Sequence, residues 1–315
     1  MLFAETPKRV YINDVAVRDG FQSEAEFVPT DEKIALINRL SRTGLAKIEV
    51  TSFVSPKAIP NLRDAGEVMN GIDRVKGVAY VALVPNERGC ERALECGVDE
   101  INLVMSIGER HNLANMRMTC EESLAQFRRV MELVRGSGMR VNATVATAFG
   151  CPFDGEQPLH RVLWAVEQYM AIGVDSVTLA DTVGMAHPAQ VGEVVEACRK
   201  TFPGLPATLH FHDTRGMGLA NVIAGLSAGI DSFDASLGGI GGCPYAPGAT
   251  GNICTEDLVH MLDACGFDTG VQLDALLGIA RDLPRIVGHD VPGHLIKAGK
   301  RTELQNPFPF TSSGG

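Results

Sequence analysis

Short apolar, β-branched runs alternate along the chain with longer segments whose apolar residues recur every three or four positions. The first pattern predicts strands, and the second predicts amphipathic helices. Strands are expected at 10–17, 46–50, 78–83, 100–105, 140–147, 176–179, 207–212 and 232–235. Helices are expected near 31–43, 62–70, 87–96, 121–136, 157–172, 188–201, 216–228 and 253–265. Gly44, Gly97, Gly138, Gly173 and Gly229 each fall between a helix and the next strand, where a C-capping glycine belongs. Eight βα units of roughly 30–40 residues point to an α/β fold, a (β/α)8 TIM barrel rather than an open doubly wound sheet. A further helical segment near 271–283 ends at Pro284, so the barrel is expected over 1–285. Residues 286–315 then form a short C-terminal helical extension and tail, its last residues Thr311–Gly315 disordered.

A barrel places its chemistry at the C-terminal ends of its strands. Six of the expected strands deliver polar residues there. Arg18-Asp19-Gly20-Phe21-Gln22 follows the first, Glu49 closes the second, and Asp181 follows the sixth. The seventh carries His210-Phe211-His212. On a strand, the two histidines project to one face, about 7 Å apart along the chain, which makes half of a metal site. A hydrogen-bonded histidine pair is the plainer alternative. Asp19 can add a carboxylate oxygen and Asn252 an amide oxygen, although a loop carboxylate and a helix N-cap are their ordinary roles. A set of O and N donors without thiolate suits Mg²⁺ or Mn²⁺, with Zn²⁺ less favoured. Arg18 reads either as a salt-bridge partner of Glu49 or as a fixed cation for a developing oxyanion, and both can hold together.

Beyond the eighth strand the chain is rich in glycine. Residues 238–244 read as a lid carrying the thiol of Cys243, an acid or base on closure or else an inert cysteine. Gln22 and Asp181 are candidate substrate contacts. So is Glu109, in a stretch after the fourth strand that otherwise reads as solvated loop.

Composition narrows the partners. The chain has 315 residues, 45% of them hydrophobic, and a net charge of −10, which makes nucleic acid a poor partner. No apolar run approaches the length of a membrane span. The eight cysteines lack CxxC spacing and read as reduced, buried thiols of a cytoplasmic protein. Residues 1–9 carry no apolar leader pattern.

Several stretches taken together resemble the 3-hydroxy-3-methylglutaryl-CoA lyase family, a branch of the metal-dependent lyase and synthase TIM barrels. They are Arg18–Gln22, Ile48–Lys57, Phe149–Pro152, Asp181–Gly184, His210–Thr214 and Gly238–Asp257. The last includes Gly-Gly-Cys-Pro-Tyr-Ala, the most specific of them. The resemblance implies a divalent cation on Asp19, His210, His212 and Asn252. It implies Arg18 at the enolate of the departing acyl-CoA, Glu49 organising Arg18, and Cys243 as the lid thiol. The base, whether His210, Asp19 or a water on the cation, stays open. The implied reaction is retro-Claisen cleavage of a 3-hydroxyacyl-CoA by a homodimer, with 3-hydroxy-3-methylglutaryl-CoA giving acetyl-CoA and acetoacetate. Citramalyl-CoA is an alternative substrate, a Claisen synthase an alternative activity, and a non-catalytic metal- and acyl-CoA-binding barrel an alternative class. The chain departs from the family pattern at Phe21, Ser23, Ala25, His111 and His289.

Overall fold

A computed structural model describes residues 9–242 and 251–303. Eight parallel strands close into a barrel in chain order. They are β1 (Tyr11–Asp14), β2 (Lys47–Ser52), β3 (Ala79–Leu83), β4 (Glu100–Ser106), β5 (Arg140–Ala146), β6 (Ser176–Asp181), β7 (Ala207–Phe211) and β8 (Ser232–Ala235). The ring closes by pairing β1 with β8, Asn13 opposite Asp234, and β1 with β2, Asn13 opposite Lys47.

The helices are α1 (Thr30–Leu40), α2 (Ala65–Gly71), α3 (Glu87–Glu95), α4 (Glu109–Met116), α5 (Cys120–Val134), α6 (Leu159–Ile172), α7 (Pro188–Thr201), α8 (Gly218–Ser227) and α9 (Thr255–Ala264). Then come α10 (Leu273–Ala280), α11 (Leu283–Val287) and α12 (Leu295–Ala298). Gly173 shows why the chain turns where it does. At φ 88° it ends α6 in the left-handed region, and its N–H donates to the Met170 carbonyl at 3.0 Å. The other four capping glycines also have positive φ.

The alternation within each strand sorts two environments. Ile101, Leu103 and Met105 on β4, Val141, Ala143 and Val145 on β5, Leu209 and Phe211 on β7, and Phe233 on β8 are all buried in the layer between sheet and helices. Each large apolar side chain buried there contributes about 1.5–3 kcal/mol. The opposite face of the same strands points into the lumen and is polar. Asn102 accepts from Asn142 Nδ2 at 3.0 Å and Thr144 Oγ1 at 2.8 Å, and Asn142 donates to Thr178 Oγ1 at 3.0 Å. The lumen is therefore filled by hydrogen-bonded side chains instead of the branched aliphatic layers usual in this architecture.

Two expectations need correction, and one element was not foreseen. The first strand stops at Asp14, not at residue 17, because the chain coils into a π-helical turn over Ala16–Gly20. That turn buries Ala16 and Val17 without continuing the sheet. The stretch expected as solvated loop after β4 forms the helix α4. An unforeseen two-stranded hairpin, Gly150–Cys151 with Gly155–Glu156, lies between β5 and α6. Among the described residues all seven cysteines are free thiols, and no helix is long and apolar enough to cross a membrane.

Candidate metal and acyl site

The site is built from the ends of β1, β2, β7 and β8. Asp14 Oδ1 accepts from the Ala16 N–H at 3.0 Å and starts the turn after β1. Within it the Asp19 N–H reaches the Val15 carbonyl at 2.7 Å, and the Gly20 N–H reaches the same oxygen at 3.4 Å. Such π turns concentrate at functional positions. This one presents Arg18 and Asp19 to the lumen's open end. Arg18 Nε donates to Glu49 Oε2 at 2.7 Å, and Nη2 lies 2.6 Å from the same oxygen. Arg18 Nη1 donates to Asp19 Oδ1. The guanidinium is thus fixed by two carboxylates.

Asp19 Oδ2 accepts from Asn252 Nδ2 at 2.8 Å and lies 3.9 Å from His212 Nε2. The rings of His210 and His212 are 5.2 Å apart, so the expected same-face pair is present, although β7 ends at Phe211. His212 instead forms an antiparallel bridge with Asn252. That bridge positions Asn252, and the residue preceding α9 is Cys254, so the N-cap alternative for Asn252 does not hold. Gly251 makes the approach possible. At φ 98°, a Cβ on it would sit 2.1 Å from the Gly241 carbonyl oxygen.

Asp19, His210 and His212 each place one ligand atom within 4.8 Å of the others. Two further buried atoms there have no hydrogen-bond partner, Asn252 Oδ1 and His212 Nδ1. An amide oxygen buried without a donor beside a carboxylate and two imidazoles is what a divalent cation would satisfy. The residues present fit such an ion.

Electrostatics sharpen the picture. Burial pushes the Asp19 carboxyl up, but Arg18, both histidines and the Asn252 amide outweigh it and hold it well below the ordinary carboxylate range. Burial, with His210 adding to it, brings His212 down to about 4, so at neutral pH the ring is uncharged and able to ligate. Burial opposes the charge of His210 too, but Asp234 and Asp19 raise it above its usual value. Burial pushes Glu49 up against the opposing pull of Arg18. Arg18 itself pays for burial, yet Asp19 and Glu49 keep it firmly protonated.

A cavity of about 140 Å³ opens beside these groups, lined among others by Arg18, Asp19, Gln22, His111, His210 and His212. Of the expected substrate contacts, Gln22 lies on its wall. Asp181 and Glu109 do not. Asp181 is fully buried and accepts from the N–H groups of Met185 at 2.8 Å and Ala186 at 3.1 Å, closing the turn after β6. Glu109, at the start of α4, caps the backbone N–H of Cys120 at 3.2 Å. Cys243 lies outside the described residues, while its neighbour Gly242 lines the cavity. Sequence reasoning missed Asp234, which touches His210 Nδ1 at 3.3 Å, and Asn102, Thr144 and Thr178 on the cavity floor. For Asn102, Thr144 and Thr178 the missed signal was the period-2 alternation of polar residues within strands that otherwise read as apolar runs.

Comparison with known proteins places this geometry. The HMGL-like family matches residues 9–283. The hydroxymethylglutaryl-CoA lyase of Bacillus subtilis is 46% identical over 294 residues, covering 93% of this chain and 98% of its own. The (R)-citramalyl-CoA lyase of Chloroflexus aurantiacus is 40% identical, covering 92% and 95%. A solved structure of an HMG-CoA lyase from Acinetobacter baumannii, in complex with coenzyme A and 3-methylmalate, superposes with a TM-score of 0.92 at 51% identity, covering 95% and 98%.

Proposed function

The chain belongs to the HMGL-like family, and from that premise we propose that it is a carbon–carbon lyase cleaving a 3-hydroxyacyl-CoA, with 3-hydroxy-3-methylglutaryl-CoA as substrate and acetyl-CoA and acetoacetate as products. The observation that carries this reading is the convergence of Asp19, His210 and His212 beside a carboxylate-fixed Arg18 at the mouth of an acyl-sized cavity.

Asp19, His210, His212 and Asn252 would hold Mg²⁺ or Mn²⁺. Such an ion would supply Lewis acidity that favours loss of the substrate's hydroxyl proton. Arg18 holds its charge where the thioester oxygen gains electron density as the C2–C3 bond breaks. Glu49 and Asp19 keep the guanidinium from rotating away. A base of the site takes the hydroxyl proton, the C3–O bond becomes a carbonyl, and the bonding pair of C2–C3 passes into the enolate. A proton delivered to C2, which we assign to Cys243, completes acetyl-CoA, so one proton leaves and one returns. Gln22 contacts the acyl group from the cavity wall. We place the protein in the cytoplasm, as a homodimer; the free thiols among the described residues support a reducing compartment.

Citramalyl-CoA is a second reading, favoured by the 40% identical relative that acts on it. A panel of 3-hydroxyacyl-CoA thioesters incubated with Mg²⁺ or Mn²⁺ separates the two. Acetoacetate beside acetyl-CoA supports the first, pyruvate beside acetyl-CoA supports the second, and no acetyl-CoA from any member overturns the lyase assignment.

A further inference from the structure

The two histidines of the site are not equivalent. His212 Nδ1 is buried and has no hydrogen-bond partner. His210 Nδ1 lies 3.3 Å from Asp234 Oδ2. The other carboxylate oxygen of Asp234 accepts from Asn13 Nδ2 at 2.9 Å. Strand register produces this row. Asn13 on β1 is the direct neighbour of Asp234 on β8, and Asp234 is the direct neighbour of His210 on β7. All three side chains face the lumen at one level, and each oxygen of Asp234 is assigned to a different partner. Asn13 is itself placed by a bond to Ser232 Oγ at 3.3 Å, and Ser232 Oγ accepts from Thr208 Oγ1 at 3.0 Å.

A carboxylate beside Nδ1 calls for an N–H there, which leaves the lone pair of the neutral ring on Nε2. A ligating histidine whose second nitrogen donates to a carboxylate is both oriented and made a better donor. We propose that Asp234 is a positioning residue: held by Asn13, it locks His210 in the tautomer that offers Nε2 to the cation. Both ring nitrogens are then committed, and His210 takes no part in moving the substrate's proton. Of the three bases that the resemblance left open, this removes one. The inference rests on the reading of Asp19, His210, His212 and Asn252 as the cation's donors.

The test uses Asp234→Ala, Asp234→Asn, Asn13→Ala and His210→Ala. The His210 tautomer is read by ¹⁵N NMR in metal-free protein, and Mn²⁺ affinity is read by calorimetry. At a pH where the ring is neutral, the wild-type ring should be in the Nδ1–H form alone. Asp234→Ala should mix the tautomers and weaken Mn²⁺ binding roughly 10- to 100-fold. Asp234→Asn should recover part of the affinity, because its amide oxygen still accepts from Nδ1. Asn13→Ala, which leaves the carboxylate in place, should give the smallest loss. It also serves, with Asp234→Asn, if the alanine variant at 234 fails to fold. A folded Asp234→Ala protein with unchanged tautomer and unchanged Mn²⁺ affinity overturns the proposal. Wild-type Mn²⁺ affinity in His210→Ala overturns the donor assignment, and the NMR result still decides whether Asp234 fixes the ring.

Discussion

The two ends of the barrel lumen use the same residue types to opposite effect. At the N-terminal end, Glu100 is met by Lys47 at 2.5 Å and by Arg140 at 3.4 Å. No atom of this trio is left buried without a partner. At the C-terminal end, Arg18 is likewise held between two carboxylates, Glu49 and Asp19. There, however, the paired charges border an unfinished cluster, with Asn252 Oδ1 and His212 Nδ1 lacking partners and three ligand atoms within 4.8 Å. A buried ion pair alone is weak evidence for function. What separates a site from a strut is donor capacity left over and aimed at one point.

Substitutions at the two ends should therefore part company. The largest effect is expected from Arg18→Ala. Loss of its positive charge should slow acetyl-CoA release by about 10²–10³-fold, the scale for one oxyanion-stabilising group. It should also lower stability by about 3–5 kcal/mol, since the buried Glu49 and the partly buried Asp19 lose their partner. Steady-state kinetics and urea unfolding check both. A rate within a factor of two of wild type removes Arg18 from the chemistry. Next, Asp19→Asn should weaken Mn²⁺ binding by more than roughly 100-fold, beyond what loss of an outer partner costs. Unchanged binding in calorimetry contradicts Asp19 as a ligand. At the other end, Glu100→Gln should cost only about 1–3 kcal/mol, because Lys47 and Arg140 can turn toward water. Turnover per folded molecule should not move; a tenfold loss there means the lumen couples its two ends.

The last effect concerns pH. Burial raises Glu256, whose Oε2 accepts from the Gly238 N–H at 3.1 Å, from 4.5 to about 7. In that interval the folded chain binds more protons at this site than the unfolded chain. Its contribution to stability is thus complete below about pH 4.5 and is lost as pH rises through about 7. Glu256→Gln should flatten that fall in metal-free protein. Parallel stability–pH curves for variant and wild type contradict the assignment.

Much of this was legible in the sequence. Eight alternating units and five capping glycines specify the barrel. The residues after each strand specify Arg18, Asp19, His210 and His212, because barrel ends are where loop polarity carries information. Asn252 was legible only as a candidate, since its place depends on Gly251 crossing the Gly241 carbonyl, a tertiary contact. Asp234 was not legible at all. Its role comes from lateral register between β1, β8 and β7, and no local pattern encodes register in a closed barrel. Asp181 and Glu109 misled for the converse reason. Asp181 closes β6 and Glu109 opens α4, both at the barrel end where ligands lie, but their carboxylates are taken by nearby backbone N–H groups. The end of the first strand was misjudged because Ala16 and Val17 are buried as thoroughly in a π turn as they would be in a strand.

The central claim is that the open end of the lumen holds one divalent cation and the other end holds none. Mn²⁺ binding followed by electron paramagnetic resonance in wild type, His212→Ala and Glu100→Gln tests it most directly. The account predicts one site per chain in wild type and in Glu100→Gln, and none of comparable affinity in His212→Ala. A site that persists in His212→Ala, or vanishes in a folded Glu100→Gln protein, contradicts it.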